Sequence, residues 1–405
     1  MPELTVAEFN DSFKPIMDGV GLCVENYTRW VDRKHGTAYA VVPHVPHYHD
    51  DDPFTVVRYP SLPIPVMPPY RLGIPWASPR VGAFLTRTKF DLVHSHSPFV
   101  AGRMAQRTAR RHDIPHVSTF HTKYRDDAKR FVRSDRLVEI FINAIVRFYD
   151  TCDAVWTPSE ATRETLREYG FKGEITIAPN GSDLPRPGED ERREYWKHGA
   201  QLAGVPDDAF VFLFVGQHRW EKNVELIIRG IGRLATRDDL ASPIALVFVG
   251  EGYAAADMKE MAEDVGIGSI THFLGRILDR EHLKALYARS DLFLFPSIYD
   301  NAPLVMREAA AFGVPTVAAA GSTCAEVITE GTNGFVVEND PDAMARELAG
   351  LMRQRDLIRE VGEDASRTIY RGWEEIVDWV AEEYERIIAA RAPRRRWGSA
   401  RRSTD

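Results

Sequence analysis

Short apolar runs alternate with longer amphipathic stretches along the chain, and this alternation predicts its secondary structure. In the first half, runs of strand length occur at residues 4–9, 39–42, 90–95 and 115–120. The stretches between them carry apolar residues at helical spacing. Strands that alternate with helices in this way predict parallel sheets covered by helices on both faces.

The second half repeats the pattern. Its runs of strand length lie at residues 210–215, 245–249, 270–274, 291–295 and 314–318. A chain of 405 residues is too long to bury one hydrophobic core, so we expect two domains of the α/β class.

The charged, proline-bearing stretch 183–204 predicts the connection between these domains. We place the first domain at residues 1–190 and the second at 191–372. A last helix is predicted over 373–390, because its apolar residues from Trp373 to Ile388 form one stripe. We expect the remaining tail, 391–405, to be disordered because it is rich in arginine: its basic residues are Arg391, Arg394, Arg395, Arg396, Arg401 and Arg402.

The segment 295–308, FPSIYDNAPLVMRE, carries the chemistry that suggests a function. It leads from a predicted strand into a helix whose first turn accommodates Pro303. The amides of Leu304 and Val305 would face an anion at that helix start, whereas Pro303 has no N–H to donate. Asp300 and Glu308 flank it, and carboxylates accept hydrogen bonds from sugar hydroxyls. The segment therefore suits both parts of a nucleotide sugar.

The same segment resembles the acid-x7-acid motif of retaining glycosyltransferases of the GT4 type. Asp300 stands where Glu is usual, and Ala302 and Pro303 replace an aromatic–glycine pair. The resemblance implies the GT-B fold, in which two Rossmann-like, doubly wound domains face each other across a cleft. It further implies that the first domain binds the acceptor, that the second binds the nucleotide sugar, and that the helix 373–390 packs back on the first domain.

The resemblance assigns further residues to the donor diphosphate. Gly216 begins a turn after the strand 210–215, and Lys222 stands at the position of a lysine that clamps the diphosphate. Gln217 occupies the place of an expected arginine, for which Arg219 is the candidate substitute. Because fixed cations stabilise the charge that develops on the leaving diphosphate, we expect no divalent metal and no cofactor besides the co-substrate.

The resemblance implies roles for four residues outside the turn at Gly216. Gly19 lies at the start of the first predicted helix, where a glycine lets the backbone approach the diphosphate closely. Arg276 and Ile277 follow the turn at Gly275, where relatives receive the nucleobase. Glu308 is expected to hold the ribose.

A histidine-rich string, HSHSPF followed by IPHVSTFHTKY, is similar to the subgroup that includes diacylglycerol and phosphatidylinositol glycosyltransferases. His121 ends a predicted parallel strand, where ligands of such sheets bind. Taken alone, it reads as a buried structural histidine. With the resemblance, His121 and Asp300 are expected to hold the hexose, so His121, Asp300 and Lys222 are the candidate catalytic residues.

Charge and composition limit the partners and the cellular location that we expect. The net charge of −8 argues against nucleic acid as a partner. Three scattered cysteines fit a reduced, cytoplasmic protein. We find no apolar run of the ~20 residues that a membrane span needs, so we expect any membrane contact to be peripheral.

Two kinds of segment suggest a lipid acceptor. Residues 123–136 are rich in lysine and arginine, as is the tail, and basic clusters attract anionic headgroups. Solvated surface is the alternative for both segments. For residues 123–136 we prefer the headgroup contact because of the resemblance to lipid-acting relatives, whereas for the tail both interpretations stay open. The proline-rich stretch 59–75 predicts either an irregular surface connection or the lip of an acceptor pocket, with Met67, Tyr70, Ile74 and the following Trp76 able to contact apolar groups.

The sequence thus predicts a retaining hexosyltransferase, with UDP-glucose as the expected donor and a lipid such as diacylglycerol as the expected acceptor. Three alternatives stay open: another cell-envelope or soluble glycan acceptor, a sugar-nucleotide epimerase, and a non-catalytic nucleotide-sugar binder. A decayed enzyme would show departures such as Gln217, Asp300 and the Ala302–Pro303 pair, which is the argument for the last alternative. Against decay, Lys222, Glu308 and His121 are retained, and Asp300 keeps an acid.

Overall fold

The computed structural model describes residues 3–391 except Met17, Val66 and Tyr299. The predicted arginine-rich tail beyond Arg391, with Trp397, lies outside the described residues. The chain forms two compact units. The first contains Met1–Asn180 and Trp373–Asp405, as far as these ranges are described, and the second contains Gly181–Gly372.

The first unit alternates strands and helices. Its strands are β1 Leu4–Phe9, β2 Gly36–Pro43, β3 Thr55–Tyr59, β4 Ser61–Pro63, β5 Arg71–Gly73, β6 Leu92–Ser95, β7 His116–Thr119, β8 Ala154–Thr157 and β9 Thr176–Ile177. Its helices before residue 180 are α1 Gly19–Lys34, α2 Pro79–Arg87, α3 Val100–His112, α4 Tyr124–Phe131, α5 Asp135–Tyr149 and α6 Glu160–Glu168.

Seven of these strands form one parallel sheet in the order β3-β2-β1-β6-β7-β8-β9, while β4 and β5 pair separately as an antiparallel ribbon. The chain runs outward from β1 in one direction and then, after β6, in the other. Such a reversal opens a crevice at the carboxyl ends of the two central strands, here after Phe9 and Ser95.

The second unit has the same organisation. Its strands are β10 Phe210–Val215, β11 Ile244–Val249, β12 Thr271–Phe273, β13 Leu292–Leu294, β14 Thr316–Ala319 and β15 Gly334–Val337. Its helices are α7 Glu189–Ala203, α8 Val224–Ala235, α9 Ala255–Asp264, α10 Arg280–Arg289, α11 Leu304–Ala311, α12 Pro341–Met352 and α13 Arg355–Thr368.

This second sheet is parallel throughout, with the order β12-β11-β10-β13-β14-β15. All six residues of β10 and of β11 are buried, as expected for strands covered by helices on both faces. The direction of winding reverses between β10 and β13, so the crevice of this unit lies after Val215 and Leu294.

The last helix, α14 Trp373–Arg391, belongs to the first unit. It buries Trp373, Val377 and Tyr384 there, and its Asp378 pairs with Lys34 of α1 at 2.7 Å. The segment after Asn180 belongs to the second unit, ten residues before the predicted division at 191. The boundary lies earlier than predicted because the Ser182 amide donates to the Arg371 carbonyl of the second unit at 2.8 Å. This bond attaches the segment to that unit.

The structure corrects the prediction in three places. The stretch 59–75 is not wholly irregular, because it closes β3 and contains the ribbon of β4 and β5. The basic stretch 123–136 includes a separate helix, α4, which the sequence prediction missed. On α5, the helical spacing of Leu137, Phe141, Ile145 and Phe148 predicts one apolar stripe that faces the core, but the buried stripe passes through Val138 and Leu137 is exposed.

Among the described residues, no helix is both long enough and apolar enough to cross a bilayer.

Candidate functional site

The crevice of the second unit brings Lys222 and Asp300 into contact. Lys222 ends a short 3₁₀ turn between β10 and α8, and Asp300 lies in the loop between β13 and α11. The Lys222 Nζ donates to Asp300 Oδ2 at 2.6 Å. The Asn223 side chain also joins the two loops, donating to the Pro296 carbonyl at 3.2 Å. Residues 78 positions apart therefore form one charged pair at the switch point of the sheet.

Glycines allow the neighbouring backbone segments to approach. Gly250 has a φ of +138°, and a Cβ there would lie 1.9 Å from the Gly216 carbonyl oxygen. A Cβ on Gly252 would lie 2.2 Å from the His218 carbonyl oxygen. No side chain fits at either position, so these glycines set the path of the loop 216–223.

The remaining side chains of this loop point in different directions. Gln217 is exposed. The Arg219 guanidinium lies 5.9 Å from the Tyr253 ring centroid, an arrangement typical of a cation–π contact. His218 is 2% exposed. Among the described residues neither of its ring nitrogens has a hydrogen-bond partner.

The surroundings of His218 are apolar: its ring packs near Phe214, Phe248 and Phe273. Burial, together with Lys259, lowers the pKa of His218 to about 4, so the imidazole is neutral at pH 7.

Glu308 is buried on α11 and is held from α10. Its Oε1 accepts from Arg280 Nη2 at 2.7 Å, and its Oε2 accepts from the Tyr287 hydroxyl at 2.9 Å. Arg280 also pairs with Asp183. Burial lowers the pKa of Arg280, but the carboxylates of Glu308 and Asp183 outweigh this and raise it.

Sequence reasoning missed this support for Glu308. A signal was present, because Arg280 and Tyr287 are seven residues apart and so share one face of a helix. Both oxygens of Glu308 have a donor, and each retains a second lone pair with which it could accept from a ribose hydroxyl.

Helix α11 begins one residue later than predicted. Pro303 lies just before the first turn with a φ of −68°, and Leu304 and Val305 are the first helical residues. The Asp300 carbonyl accepts from the Thr323 hydroxyl and from the Cys324 thiol, two contacts that the sequence did not reveal.

Arg276 and Ile277 follow the left-handed Gly275 (φ +68°), as the turn prediction implied. The Gly275 carbonyl accepts from the Gly250 amide at 2.8 Å, which links this turn to the loops of the crevice. The Arg276 side chain is exposed and Ile277 is half-buried.

Gly19 lies in the first unit as the first residue of α1. Among the described residues, and apart from its chain neighbours and its own helix backbone, no atom lies within 4 Å of the position that a Cβ would occupy. Asp18 caps the helix by accepting from the Gly21 amide at 2.7 Å, and it also accepts from the Ser12 hydroxyl at 2.7 Å. Burial raises the pKa of Asp18.

His121 lies beyond β7 and belongs to a buried polar network. Its Nε2 is 3.1 Å from His96 Nδ1, and His96 Nε2 is 2.9 Å from Glu8 Oε2. The Tyr384 hydroxyl of α14 donates to Glu8 Oε1 at 3.0 Å and lies 2.6 Å from His94 Nδ1. His94 Nε2 contacts the Thr119 hydroxyl at 2.8 Å.

Burial keeps this network neutral. It lowers the pKa of His96 to about 3 and raises the pKa of Glu8 to about 8, the latter partly offset by the Tyr384 hydrogen bond. Burial also lowers the pKa of His94 and His121, with a contribution from neighbouring imidazoles.

Glu8, His94 and His96 each place a possible ligand atom within 4.8 Å of the others. Their hydrogen bonds argue against a metal, since both nitrogens of His94 and of His96 already have partners. A cation would have to displace these bonds. We interpret the three residues as a hydrogen-bonded network.

The structure therefore places the predicted residues in two groups. Lys222 and Asp300 touch, and Gly216, Arg219, Arg276, Ile277 and Glu308 lie on the loops and helices around the same sheet edge of the second unit. Gly19 and His121 lie at strand ends and helix starts of the first unit.

Comparison with known proteins matches two family models to two successive parts of the chain. Residues 17–186 match the profile of Glycosyltransferase Family 4, and residues 201–368 match Glycosyl transferases group 1. The chain is 23% identical over 357 residues to the alpha-monoglucosyldiacylglycerol synthase of Streptococcus pneumoniae, covering 87% of this chain and 80% of that protein.

Two solved structures are similar over almost the whole chain. Sucrose-phosphate synthase from Thermosynechococcus elongatus has a TM-score of 0.75 at 17% identity, covering 96% of this chain and all of that one. Anabaena HepE in complex with UDP and glucose has a TM-score of 0.72 at 17% identity, covering 95% of this chain and all of that one. These likenesses confirm the predicted GT-B fold.

Proposed function

Because this chain belongs to the glycosyltransferases of family 4 and group 1, we propose that it transfers glucose from UDP-glucose to a hydroxyl of a membrane lipid such as diacylglycerol. That it is a hexosyltransferase using a nucleotide sugar follows from the family matches. The choice of glucose, UDP and lipid is supported by the resemblance to alpha-monoglucosyldiacylglycerol synthase and by the likeness to a structure that binds UDP and glucose.

The Lys222–Asp300 pair carries the proposal. In our account the pair is a resting arrangement, which a nucleotide sugar replaces with two better matched contacts. The diphosphate takes the ammonium of Lys222, because a phosphate group carries more charge than one carboxylate. Asp300 is then released to accept from a hexose hydroxyl.

The other proposed donor contacts come from the resemblance and are consistent with the positions of these residues in each unit. Arg219 and the Gly19 amide add to the anion site, as do the amides of Leu304 and Val305 at the start of α11. Glu308 accepts from the ribose, held in place by Arg280 and Tyr287. Arg276 and Ile277 offer their backbone to the base, and His121 binds the hexose.

We propose that the reaction retains the anomeric configuration by a front-side displacement. The acceptor hydroxyl attacks the anomeric carbon as the bond to the diphosphate breaks, and the departing phosphate oxygen takes the acceptor proton. The negative charge that grows on the diphosphate is stabilised by Lys222 and the α11 amides, which bind it more strongly in the transition state than in the ground state. In this proposal no divalent metal is required.

The surface of the first unit supports a lipid acceptor. Phe131, Leu137 and Ile140 are each more than half exposed on α4 and α5, and Arg133 and Arg136 are exposed between them. Apolar side chains that flank arginines favour a peripheral position on an anionic bilayer. We therefore place the protein on the cytoplasmic face of the membrane.

A cavity in the same unit offers room for part of an acyl chain. It has a volume of about 390 Å³ and lies between α3, α5 and the turn before α2. Trp76, Phe99, Met104, Phe141 and Ile145 line it, with Arg103 and Arg107 also in the lining. Trp76 is 76% exposed, which suits a residue that meets an apolar ligand.

One assay tests the proposal. The protein is incubated with UDP-glucose, UDP-galactose or GDP-mannose, with diacylglycerol in phosphatidylglycerol vesicles or with soluble glycans, and nucleotide release and products are measured. We expect UDP release that depends on both UDP-glucose and diacylglycerol. Transfer only to soluble acceptors would refute the lipid assignment. An epimerised donor without acceptor, or binding without turnover, would refute transfer.

A further inference from the structure

Asn223 is unusual in its backbone, because it is left-handed without being a glycine. Its φ is +57° and its ψ is +34°. In the part of the chain that the structure describes, only His47 and Asp113 share a positive φ with it among residues other than glycine. A side chain in this region is strained, although asparagine tolerates it better than most residues do. Strain of this kind persists where the surrounding contacts hold it, and it is concentrated at functional sites.

The left-handed turn at Asn223 separates the 3₁₀ turn that carries Lys222 from helix α8. The Asn223 amide donates to the Trp220 carbonyl at 2.8 Å, and the Leu226 amide donates to the Asn223 carbonyl at 3.1 Å. Asn223 therefore ends one turn and begins the next, and the chain changes direction directly after Lys222. The conformation of Asn223 thus determines where the backbone of Lys222 lies.

Both N–H groups of the Asn223 side chain are used in hydrogen bonds. Nδ2 donates to the Pro296 carbonyl at 3.2 Å and to Asn339 Oδ1 at 2.8 Å. Pro296 lies shortly after β13, and Asn339 lies shortly after β15. In the sheet, β15 is three strand positions from β10, a distance of about 14 Å at the usual spacing of about 4.8 Å. The loop after β10 is thus fastened across the carboxyl edge of the sheet.

The Asn223 bonds attach the loop to the same segment that Lys222 contacts. The Lys222 Nζ lies 5.8 Å from the Phe295 ring centroid and 2.6 Å from Asp300 Oδ2. Phe295 directly precedes Pro296, to which Asn223 donates. An anion that draws the ammonium away from Asp300 leaves the Asn223 bonds in place, because these bonds join neutral groups and do not depend on the charge of Asp300.

We propose that Asn223 is a positioning residue: it holds the loop 216–223 so that the Lys222 ammonium can exchange Asp300 for the diphosphate of a donor while the backbone stays in place. The exchange with the diphosphate rests on the proposed function, whereas the attachment of the loop does not. A cation that is fixed in advance binds an anion without first ordering a loop, so this preorganisation favours both binding and catalysis.

Three variants separate the side-chain bonds of Asn223 from its backbone conformation. Asn223→Gly keeps the left-handed backbone and removes both side-chain bonds. Asn339→Ala removes one of the two bonds. Asn333→Gly is the matched control, because Asn333 of the same unit also donates to a carbonyl, that of Val327 at 3.2 Å, and to a side-chain oxygen, that of Thr368 at 3.0 Å.

Hydrogen exchange of the full chain, measured by mass spectrometry, tests the attachment without a ligand. We expect the peptide that covers residues 216–223 to exchange about 3- to 10-fold faster in Asn223→Gly, the size expected for one hydrogen bond, and by a smaller factor in Asn339→Ala. Strand β11 should exchange at the wild-type rate in both variants, and Asn333→Gly should leave the 216–223 peptide unchanged. Wild-type protection of this peptide in Asn223→Gly would overturn the proposal.

Calorimetric titration with UDP tests the consequence for Lys222. We expect the Kd for UDP to rise about 10-fold in Asn223→Gly but less than about 2-fold when the same substitution is made in Lys222→Ala, because the cation that Asn223 positions is then absent. Asn333→Gly should bind UDP as wild type does. Equal losses in the two backgrounds would show that Asn223 supports the unit in general, and would overturn the positioning of Lys222.

The two measurements also separate this proposal from the proposed function. Wild-type protein that binds no UDP would refute the proposed function and, with it, the exchange of Lys222 onto a diphosphate. The hydrogen-exchange rates would still decide whether Asn223 attaches the loop.

Discussion

The two units share one winding pattern but treat buried polar groups in opposite ways. Around β1 and β6 of the first unit, an acid and three histidines are kept neutral by burial and are joined by hydrogen bonds. Around β10 and β13 of the second unit, Lys222 pairs with Asp300, and Arg280 with Glu308, as charged groups.

The contrast bears on the donor contacts proposed for the second unit. A sugar hydroxyl can be bound by a neutral group or by a carboxylate, and the second is the role proposed for Asp300 and Glu308. Fixed cations suit a diphosphate. The charged pairs of the second unit thus contain the groups that the proposal assigns to a nucleotide sugar, whereas the buried network of the first unit is held by hydrogen bonds between neutral groups.

The largest effect is expected from Lys222→Ala, which removes the cation of the second unit. We expect kcat/KM to fall about 10²–10³-fold, because the stabilisation is greatest for the charge of the leaving group. Lys284→Ala is the control, since its side chain has the same 15% exposure and also pairs with an acid, Glu281. Equal losses in the two variants would contradict the assignment.

Glu308→Gln is expected to come next. The substitution keeps the shape but removes the charge that accepts from the ribose, so the donor KM should rise about 10- to 100-fold. Arg280, which is half-buried, would lose the charge of Glu308 and keep its ion pair with Asp183. The free energy of unfolding should therefore fall by up to about 3 kcal/mol.

Tyr287→Phe separates binding from support of Glu308. It deletes the hydroxyl that donates to Glu308 but leaves the carboxylate, so its donor KM should rise less than about tenfold. A larger change in Tyr287→Phe than in Glu308→Gln would show that Glu308 acts only through packing.

The next prediction compares exposed apolar side chains of α5, in the first unit, with one of the second unit in binding to membranes. Leu137→Ser with Ile140→Ser should reduce partition into phosphatidylglycerol vesicles by roughly tenfold, because two exposed apolar side chains are lost from the bilayer contact. Val327→Ser, an exposed apolar position of the second unit, is the control. Unchanged sedimentation of the double variant would rule out α5 as the contact.

The smallest effect is expected at His218, whose imidazole is neutral although it belongs to the unit that contains the charged pairs. His218→Leu should raise the free energy of unfolding by about 1–2 kcal/mol, because the buried nitrogens lack partners among the described residues and leucine suits three phenylalanines. Urea denaturation measures it. A destabilised variant would indicate that His218 has a polar contact in solution.

Much of the fold could be read from the sequence, because strands buried on both faces appear as unbroken apolar runs. The predicted strands 4–9 and 210–215 have the bounds of β1 and β10. The strands β3, β8 and β15 were missed. β3 contains the charged Arg58, and β15 begins with a glycine.

The candidate site was predictable where chemistry follows directly from a strand end, as at Lys222 and Asp300. It was not predictable where a partner comes from a distant element. Glu8 reads as an ordinary polar residue of a strand, and only the tertiary structure brings it to Tyr384, 376 residues away. Arg280 likewise needed the packing of α10 beside α11 to be recognised.

The most direct test of the account is a crystal structure of the full chain with UDP-glucose. The account predicts that the Lys222 ammonium leaves Asp300 and lies about 3 Å from a diphosphate oxygen, with Asp300 accepting from a hexose hydroxyl. A bound nucleotide sugar at another place, with the 2.6 Å contact between Lys222 and Asp300 intact, would contradict it.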